Sequence, residues 1–290
     1  MLTEKPNSNT LHLHQMSALE IVETMNSEDA TIVQAVRRAQ KEIASAVELI
    51  TERLEKGGRL FYVGAGTSGR LGVLDASECP PTFGTLPDMV QGIMAGGEIA
   101  MTDAVEGAED DFCAGEDSMR NKKVVDRDVV VGIAASGTTP FVLAAVEYGR
   151  RQGAATVGLA CNSPSLLLEN VDVAIGVLVG PEVLAGSTRL KAGTAQKMVL
   201  NMLSTATMVH LGKVYKNRMV DVQSTNKKLE RRALEMVFEL GEVSMENAAE
   251  LLQESGNHVK TAVVMAKLGI NSDSAKKLLE AESGHLGRIL

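Results

Sequence analysis

The chain has 290 residues, of which 44% are hydrophobic, 23% are charged and 3% are aromatic, and its formal net charge is −8. This balance is typical of a globular protein and excludes a wholly disordered chain. The negative charge and the scarcity of aromatic rings exclude a broad nucleic-acid or anionic-lipid surface and a sugar groove lined with rings. An anionic ligand must therefore be bound by local geometry, through backbone amides, hydroxyl groups and a few cations.

The cysteines and the N-terminus indicate the compartment. The chain has three cysteines, an odd number, and none of them has CxxC spacing: Cys79, Cys113 and Cys161. This favours reduced thiols over a disulfide framework or a zinc site. Residues 1–15 lack the cationic start and apolar core of a signal peptide. No segment approaches the ~20 apolar residues of a membrane span. We therefore expect a cytoplasmic protein without a membrane or nucleic-acid partner.

The predicted elements alternate between helices and strands along the chain. Residues 29–56 have apolar side chains at helical spacing, and the glycine pair at 57–58 predicts the end of that helix. Apolar runs typical of buried strands follow at residues 59–63, 89–95, 128–134, 155–160 and 171–179, with helical patterns at 70–76 and 141–152. Alternation of this kind predicts an α/β fold with a central parallel sheet covered by helices on both faces.

The C-terminal part of the chain has a different pattern. Residues 191–211 form the longest helical stretch, which is apolar enough to be central or to lie in the interface of a homodimer. Short charged amphipathic helices follow, and residues 242–290 are predicted to form a three-helix module. The predicted domains are an N-terminal helical segment (1–58) packing on the core, an α/β core that contains the sheet (59–225) and a C-terminal helical module (226–290).

Two loops rich in glycine and hydroxyl groups follow predicted strands, at residues 64–69 and 135–140. Loops of this composition before a helix can bind a phosphate through backbone amides and hydroxyls. The candidate phosphate contacts are Thr67, Ser68, Gly69, Ser136, Gly137 and Thr139. The first loop also matches G-x-G-x-x-G, but no acidic residue ends a second strand about twenty positions later, as a dinucleotide site requires. A tight turn with a Ser or Thr cap is the alternative interpretation of either loop.

Acidic and basic residues lie near these loops. Glu78 precedes a proline pair that predicts the end of its helix, and Glu109 belongs to an acidic cluster at residues 106–111. By residue type alone, the default interpretation of both glutamates is a solvated carboxylate near a helix start.

A further loop leads into the long helix that begins near residue 191. Ser187 and Thr188 are candidate caps of this helix, and Ser187 and Lys191 are candidate phosphate contacts. Cations at a helix N-terminus oppose the macrodipole, so Arg189, Lys191 and Lys197 predict an anionic ligand or a carboxylate partner nearby.

The longer motifs resemble those of the N-acetylmuramic acid 6-phosphate etherase family, whose phosphosugar-binding fold is the sugar isomerase (SIS) domain. The matching residues are 64–84, 105–111 and 180–197, together with 2–11, 219–229 and the helical tail. The resemblance implies a SIS-type three-layer sandwich with a small C-terminal three-helix module. Thr138 stands where many members have Arg, which puts one cationic substrate contact in doubt.

The resemblance also implies a function. Glu78 matches the family's proton donor and Glu109 its second active-site glutamate. The implied reaction is that of a lyase, which removes D-lactate from the phosphosugar during peptidoglycan recycling, without a metal or organic cofactor. Because a general acid needs a raised pKa, we expect Glu78 to lie in a partly apolar, water-poor pocket.

Two other functions stay open at this point. An aldose–ketose phosphosugar isomerase also needs a carboxylate base beside a sugar phosphate. Glucokinase regulatory protein is similar over residues 180–197 and binds sugar phosphates without catalysis, so a non-catalytic phosphosugar-binding regulator is the alternative from another class.

Overall fold

The computed structural model describes residues 1–221 and 227–290. By their contacts the residues group into two units, one of Met1–Ser77 and Asp88–Ser204 and one of Glu78–Pro87 and Thr205–Leu290. The predicted domain boundary after residue 58 falls inside the first unit, and the one after residue 225 lies outside the described residues. The three predicted domains therefore stay a prediction.

The first unit contains a parallel sheet with the strand order β2-β1-β3-β4-β5. Its strands are β1 (Leu60–Gly64), β2 (Val90–Met94), β3 (Val129–Ile133), β4 (Ala155–Ala160) and β5 (Val173–Gly176). Three of them (β1, β3 and β4) are buried along their whole length, which is why they appear in the sequence as continuous apolar runs. The predicted α/β class and the five predicted strands are confirmed.

Helices cover both faces of this sheet. They are α1 (Ala18–Asp29), α2 (Ile32–Arg38), α3 (Gln40–Glu55), α4 (Gly66–Phe83), α5 (Phe112–Asn121), α6 (Pro140–Arg151), α7 (Leu166–Glu169) and α8 (Lys191–His210). Helices α5 and α6 bury Met119, Phe141 and Val142 against Phe61 and Val130 of the strands. On the opposite face, α3 contacts β4 and β5.

The second unit is mostly helical. It contains the antiparallel pair β6 (Val214–Tyr215) and β7 (Arg218–Met219), followed by α9 (Lys227–Gly241), α10 (Met245–Glu254), α11 (Val259–Leu268), α12 (Ser272–Ala281) and α13 (Leu286–Ile289). Its core includes Val237, Ala262, Val263 and Ala275. The three-helix module predicted for residues 242–290 corresponds to α10, α11 and α12, and the short α13 follows them.

The predicted helices need correction in three places. The single helix predicted for residues 29–56 is two helices, α2 and α3, which are separated at Ala39, where φ is −97° and ψ is 13°. Apolar spacing continues across this break, so periodicity alone does not reveal it. Helix α4 continues through Pro80 and Pro81 to Phe83, although neither proline has an N–H to donate to the preceding turn, and the helix ends two residues after them. Helix α5 was not predicted.

Within the described residues, no helix is both long enough and apolar enough to cross a membrane.

Candidate active site

The first glycine-rich loop lies at the carboxyl end of β1. Helix α4 begins at Gly66, so the backbone amides of Thr67, Ser68 and Gly69 lie in its first turn, the part of a helix that favours anions. Ser68 is buried, and its Oγ donates a 2.8 Å hydrogen bond to Oε1 of Gln196. The loop therefore has the predicted position, and its buried hydroxyl is oriented by a residue of α8.

The second loop lies at the carboxyl end of the neighbouring strand β3. Gly64 and Ile133 are paired in register, so both loops leave the sheet at the same level. Strand order changes direction between β1 and β3, and ligands of such sheets bind at this switch point. Ser136 Oγ accepts a 3.1 Å hydrogen bond from the amide of Thr138, and Thr139 immediately precedes α6. The sheet thus brings the two predicted phosphate loops to one edge.

A cavity of about 160 Å³ opens beside the first loop. Its lining includes Gly66 of that loop, Arg70 of α4 and a long stretch from Ala100 to Glu109. Glu109 is exposed and lies in a short 3-10 turn, Ala108–Asp110. The structure therefore places one predicted active-site glutamate in the same cavity wall as the start of the predicted phosphate loop.

Glu78 lies on α4 and belongs to the second unit. Its side chain is exposed, so the expectation of a water-poor pocket around this carboxyl group is wrong for the single chain. The next residue, Cys79, is buried, as expected for a small apolar side chain.

The entrance to α8 is organised by carboxylates. Glu182 is fully buried and accepts hydrogen bonds from the backbone amides of Lys191 (2.8 Å) and Ala192 (2.9 Å). Burial raises the pKa of Glu182, although these amides and the charge of Lys191 act in the opposite direction. Glu182 therefore accepts hydrogen bonds from amides of the first turn of α8, the role that was predicted for Ser187 and Thr188. Its carboxylate also complements the positive end of the helix dipole.

Lys191 is also buried, and its Nζ lies 2.6 Å from Oε2 of Glu28 on α1. Of the two alternatives predicted for these cations, an anionic ligand or a carboxylate partner, Lys191 has the carboxylate partner. The ammonium group is neutralised within the protein, so a phosphate contact by Lys191 requires this ion pair to open and stays a prediction.

Four other functional candidates were not predicted. Gln196 orients Ser68, Arg70 lines the cavity, and Asn162 donates a 2.8 Å hydrogen bond from Nδ2 to the carbonyl of Ala135 at the second loop. Asp75 is described below. Three of them have a signal in the sequence: Gln196 and Asp75 are polar residues within apolar helical patterns, and Asn162 closely follows a buried strand.

Asp75 is a buried acid on α4, and its Oδ1 accepts a 3.0 Å hydrogen bond from Ser204 Oγ of α8. Burial raises its pKa from 3.8 to about 6, although hydrogen bonds from Ser204 and Tyr62 and the charge of Lys197 lower it. In the unfolded chain this carboxyl group ionises at its ordinary pKa. Between pH 3.8 and about 6, the folded protein therefore retains this proton, whereas the unfolded chain has released it.

We expect this difference to decrease the stability of the protein as pH rises from about 4 to above 6. At about 1.4 kcal/mol per pH unit, the loss reaches about 3 kcal/mol and is complete above the folded-state pKa. Asp75→Asn cannot ionise, so it should lack this loss. Urea unfolding of both proteins at pH about 4 and about 7.5 measures the difference. Equal pH dependence in the two proteins would contradict the expectation, and Asp273→Asn, at an exposed position of α12, is the control.

Comparisons with known proteins agree with this geometry. The chain matches the glucokinase regulatory protein N-terminal SIS domain over residues 42–150 and the SIS domain over residues 113–206. Two solved structures have the same fold. A protein of E. coli CFT073, solved as a complex, has a TM-score of 0.50 at 17% identity, covering 69% of this chain and 96% of that chain. A putative phosphosugar isomerase involved in capsule formation from Bacteroides fragilis has a TM-score of 0.51 at 19% identity, covering 67% and 91%. The predicted SIS-type fold is confirmed.

Curated relatives match the chain over its full length. The N-acetylmuramic acid 6-phosphate etherase of Crocosphaera subtropica is 51% identical over 290 residues, which are 100% of this chain and 95% of the relative. The etherase of Mycolicibacterium smegmatis is 52% identical over 284 residues, covering 98% and 95%. The etherase of Clostridioides difficile is 47% identical over 290 residues, covering 100% and 95%. The chain belongs to the N-acetylmuramic acid 6-phosphate etherase family.

Proposed function

We propose that the chain is a carbon–oxygen lyase that cleaves the D-lactyl ether of N-acetylmuramic acid 6-phosphate, in amino-sugar recycling from peptidoglycan. The products are N-acetylglucosamine 6-phosphate and D-lactate. The observation that carries this proposal is identity of about 50% to etherases over the whole chain. The cavity between the first loop and Glu109 supports it, because it joins a phosphate-binding geometry to a carboxylate.

The substrate's phosphate is proposed to bind between the two loops at the ends of β1 and β3. Thr67 and Ser68 would contact it from one side through amides and hydroxyls, and Gly69 through its amide, which donates a 3.2 Å hydrogen bond to the carbonyl of Ala65 in the free protein. Ser136, Gly137 and Thr139 would contact it from the other side. The register of Gly64 with Ile133 supports this assignment, as does the change of strand order between these strands. Ser187 and Lys191 are proposed as further contacts at the entrance of α8.

The reaction needs only proton transfers. In the open-chain sugar, the aldehyde acidifies the proton on the adjacent carbon, and the lactyl ether is attached one carbon further along. A base removes that proton, and its electron pair forms a carbon–carbon double bond as the bond to the ether oxygen breaks. The departing oxygen takes a proton from an acid and leaves as lactate. Water then adds across the double bond, giving the hydroxyl of the product sugar.

Glu78 is proposed as the acid that protonates the ether oxygen and then, as a carboxylate, activates the water. Glu109 is proposed as the base or as a group that orients the substrate, and its place in the cavity wall supports contact with the sugar. Each proton-transfer group is worth roughly 10²–10⁴-fold in rate.

A homodimer in the cytoplasm is proposed as the working form. Helix α1 buries none of its side chains, and Leu19 and Val22 are 66% and 62% exposed. A second copy of the chain would cover this apolar surface. The side chain of Glu78 is exposed in the single chain, and a second copy is proposed to shield it from water. The odd number of cysteines and their lack of CxxC spacing support a reducing compartment.

The direct test is incubation of the protein with N-acetylmuramic acid 6-phosphate in water enriched in heavy oxygen. We expect release of lactate, with the heavy oxygen in the sugar and not in lactate, as measured by mass spectrometry. Isomerisation of a sugar phosphate without lactate release would instead favour the aldose–ketose isomerase. Binding of the substrate without any turnover would favour the non-catalytic regulator.

A further inference from the structure

The loop that contains Glu109 has little regular structure. It runs from the end of β2 to the start of α5 and includes two short 3-10 turns, Glu98–Met101 and Ala108–Asp110. Its backbone hydrogen bonds are local, such as Asp103 to Ile99 (3.0 Å) and Asp110 to Gly107 (3.1 Å). Bonds of this kind shape the loop internally but do not fix its position on the sheet.

Arg70 supplies hydrogen bonds that do fix this position. Its Nε donates to the carbonyl of Met101 (3.0 Å), and its Nη2 donates to the carbonyls of Ala100 (2.7 Å) and Asp103 (3.3 Å). Within the described residues, the other hydrogen bonds of residues 98–110 join this loop to itself. Apolar packing also anchors the loop, because Ala100 is buried and the half-buried Ala108 packs against the core beneath α6.

The chemistry of arginine suits this role. A guanidinium group is planar and always charged, and its donors have fixed directions, so it can bind several carbonyls at once. Lysine has a single ammonium group on a flexible stem and cannot reproduce this arrangement. Arg70 also directly follows Gly69, the last residue of the glycine-rich loop. It therefore connects the proposed phosphate-binding loop to the loop that contains Glu109.

We propose that Arg70 is a positioning residue for the etherase reaction, which holds the loop of residues 98–110 so that Glu109 faces the bound sugar. The proposal rests on the proposed function, because Glu109 has its role only there. Arg70 acts through the backbone of this loop, since its Nε and Nη2 are bonded to loop carbonyls. Direct binding of an anionic group of the substrate is the competing role for its guanidinium.

The experiment compares Arg70→Lys and Arg70→Ala with Arg120→Gln, a control in which an exposed arginine that pairs with Glu116 and Asp117 is removed. Hydrogen–deuterium exchange measures the loop directly. We expect peptides from residues 98–110 to exchange faster in both Arg70 variants, with unchanged exchange in β1 and β3. Unchanged exchange in residues 98–110 would overturn the proposal, whether or not the protein is an etherase.

Kinetics of lactate release measure the consequence for the reaction. A misplaced catalytic group costs roughly 10²-fold, so we expect kcat of Arg70→Ala to fall by about this factor while KM changes by less than about threefold. Free guanidinium ion should restore part of kcat in Arg70→Ala, and Arg70→Lys should stay impaired. A rise of KM by about tenfold or more with kcat retained would overturn the proposal in favour of direct substrate binding.

Failure of the proposed function gives a different result. Absence of lactate release by the unaltered protein would reject the etherase activity, and the exchange measurement would then still decide whether Arg70 holds the loop.

Discussion

Replacement of Glu78 by Gln is expected to lower the rate of lactate release by about 10²–10⁴-fold, the usual worth of a proton-transfer residue. Glutamine has nearly the same shape as glutamate, but it can neither protonate the ether oxygen nor activate water. Because Glu78 is exposed on α4, the substitution should leave the fold unchanged. Measurement of kcat for lactate release over a range of pH tests this expectation.

Two controls accompany this measurement. Binding of N-acetylglucosamine 6-phosphate, followed by calorimetry, should be nearly the same in Glu78→Gln and in the unaltered protein, because the phosphate loops are untouched. Glu55→Gln, at an exposed position near the end of α3, should have unchanged kcat. Normal turnover by Glu78→Gln would show that another group protonates the ether oxygen.

Replacement of Gly137 by Ala should destabilise the protein by about 2–5 kcal/mol, as the sum of backbone strain and overpacking. Gly137 has a φ of +72°, and an added Cβ would lie 2.3 Å from Oγ and 2.5 Å from Cβ of Ser165. No real Cβ approaches its neighbours so closely, so the second phosphate loop or Ser165 must move. Urea unfolding measures the loss of stability, and weaker phosphosugar binding should accompany it.

The matched control is Gly180→Ala. Gly180 has nearly the same φ, +75°, but nothing lies within 4 Å of an added Cβ. Only the backbone strain of a left-handed residue then applies, which is about 1–2 kcal/mol. Equal destabilisation by the two substitutions would mean that the contact with Ser165 does not contribute to the loss of unfolding free energy in Gly137→Ala.

Much of the sheet was predictable because it is buried on both faces. The strand predicted for residues 155–160 is β4 at the same residues, and the helix predicted for 191–211 is α8 within one residue. Helix α5 was missed because its apolar pattern is weak, with only Gly115 and Met119 buried. Gly115 lowers helix propensity, yet an added Cβ there would lie 2.2 Å from the carbonyl of Phe141. Close packing of α5 on α6 therefore requires glycine at position 115, and this glycine weakens the helix pattern in the sequence.

The strands, the two loops rich in glycine and hydroxyl groups and the family could be predicted from the amino-acid sequence, because these depend on residue types at fixed spacing along the chain. Which charged groups meet became evident from the three-dimensional structure. Lys191 pairs with Glu28, Glu182 binds the first amides of α8, and Arg70 binds carbonyls about thirty residues away. Hydrogen bonds and ion pairs act over about 3–4 Å, and local spacing does not fix distances between residues so far apart in the chain.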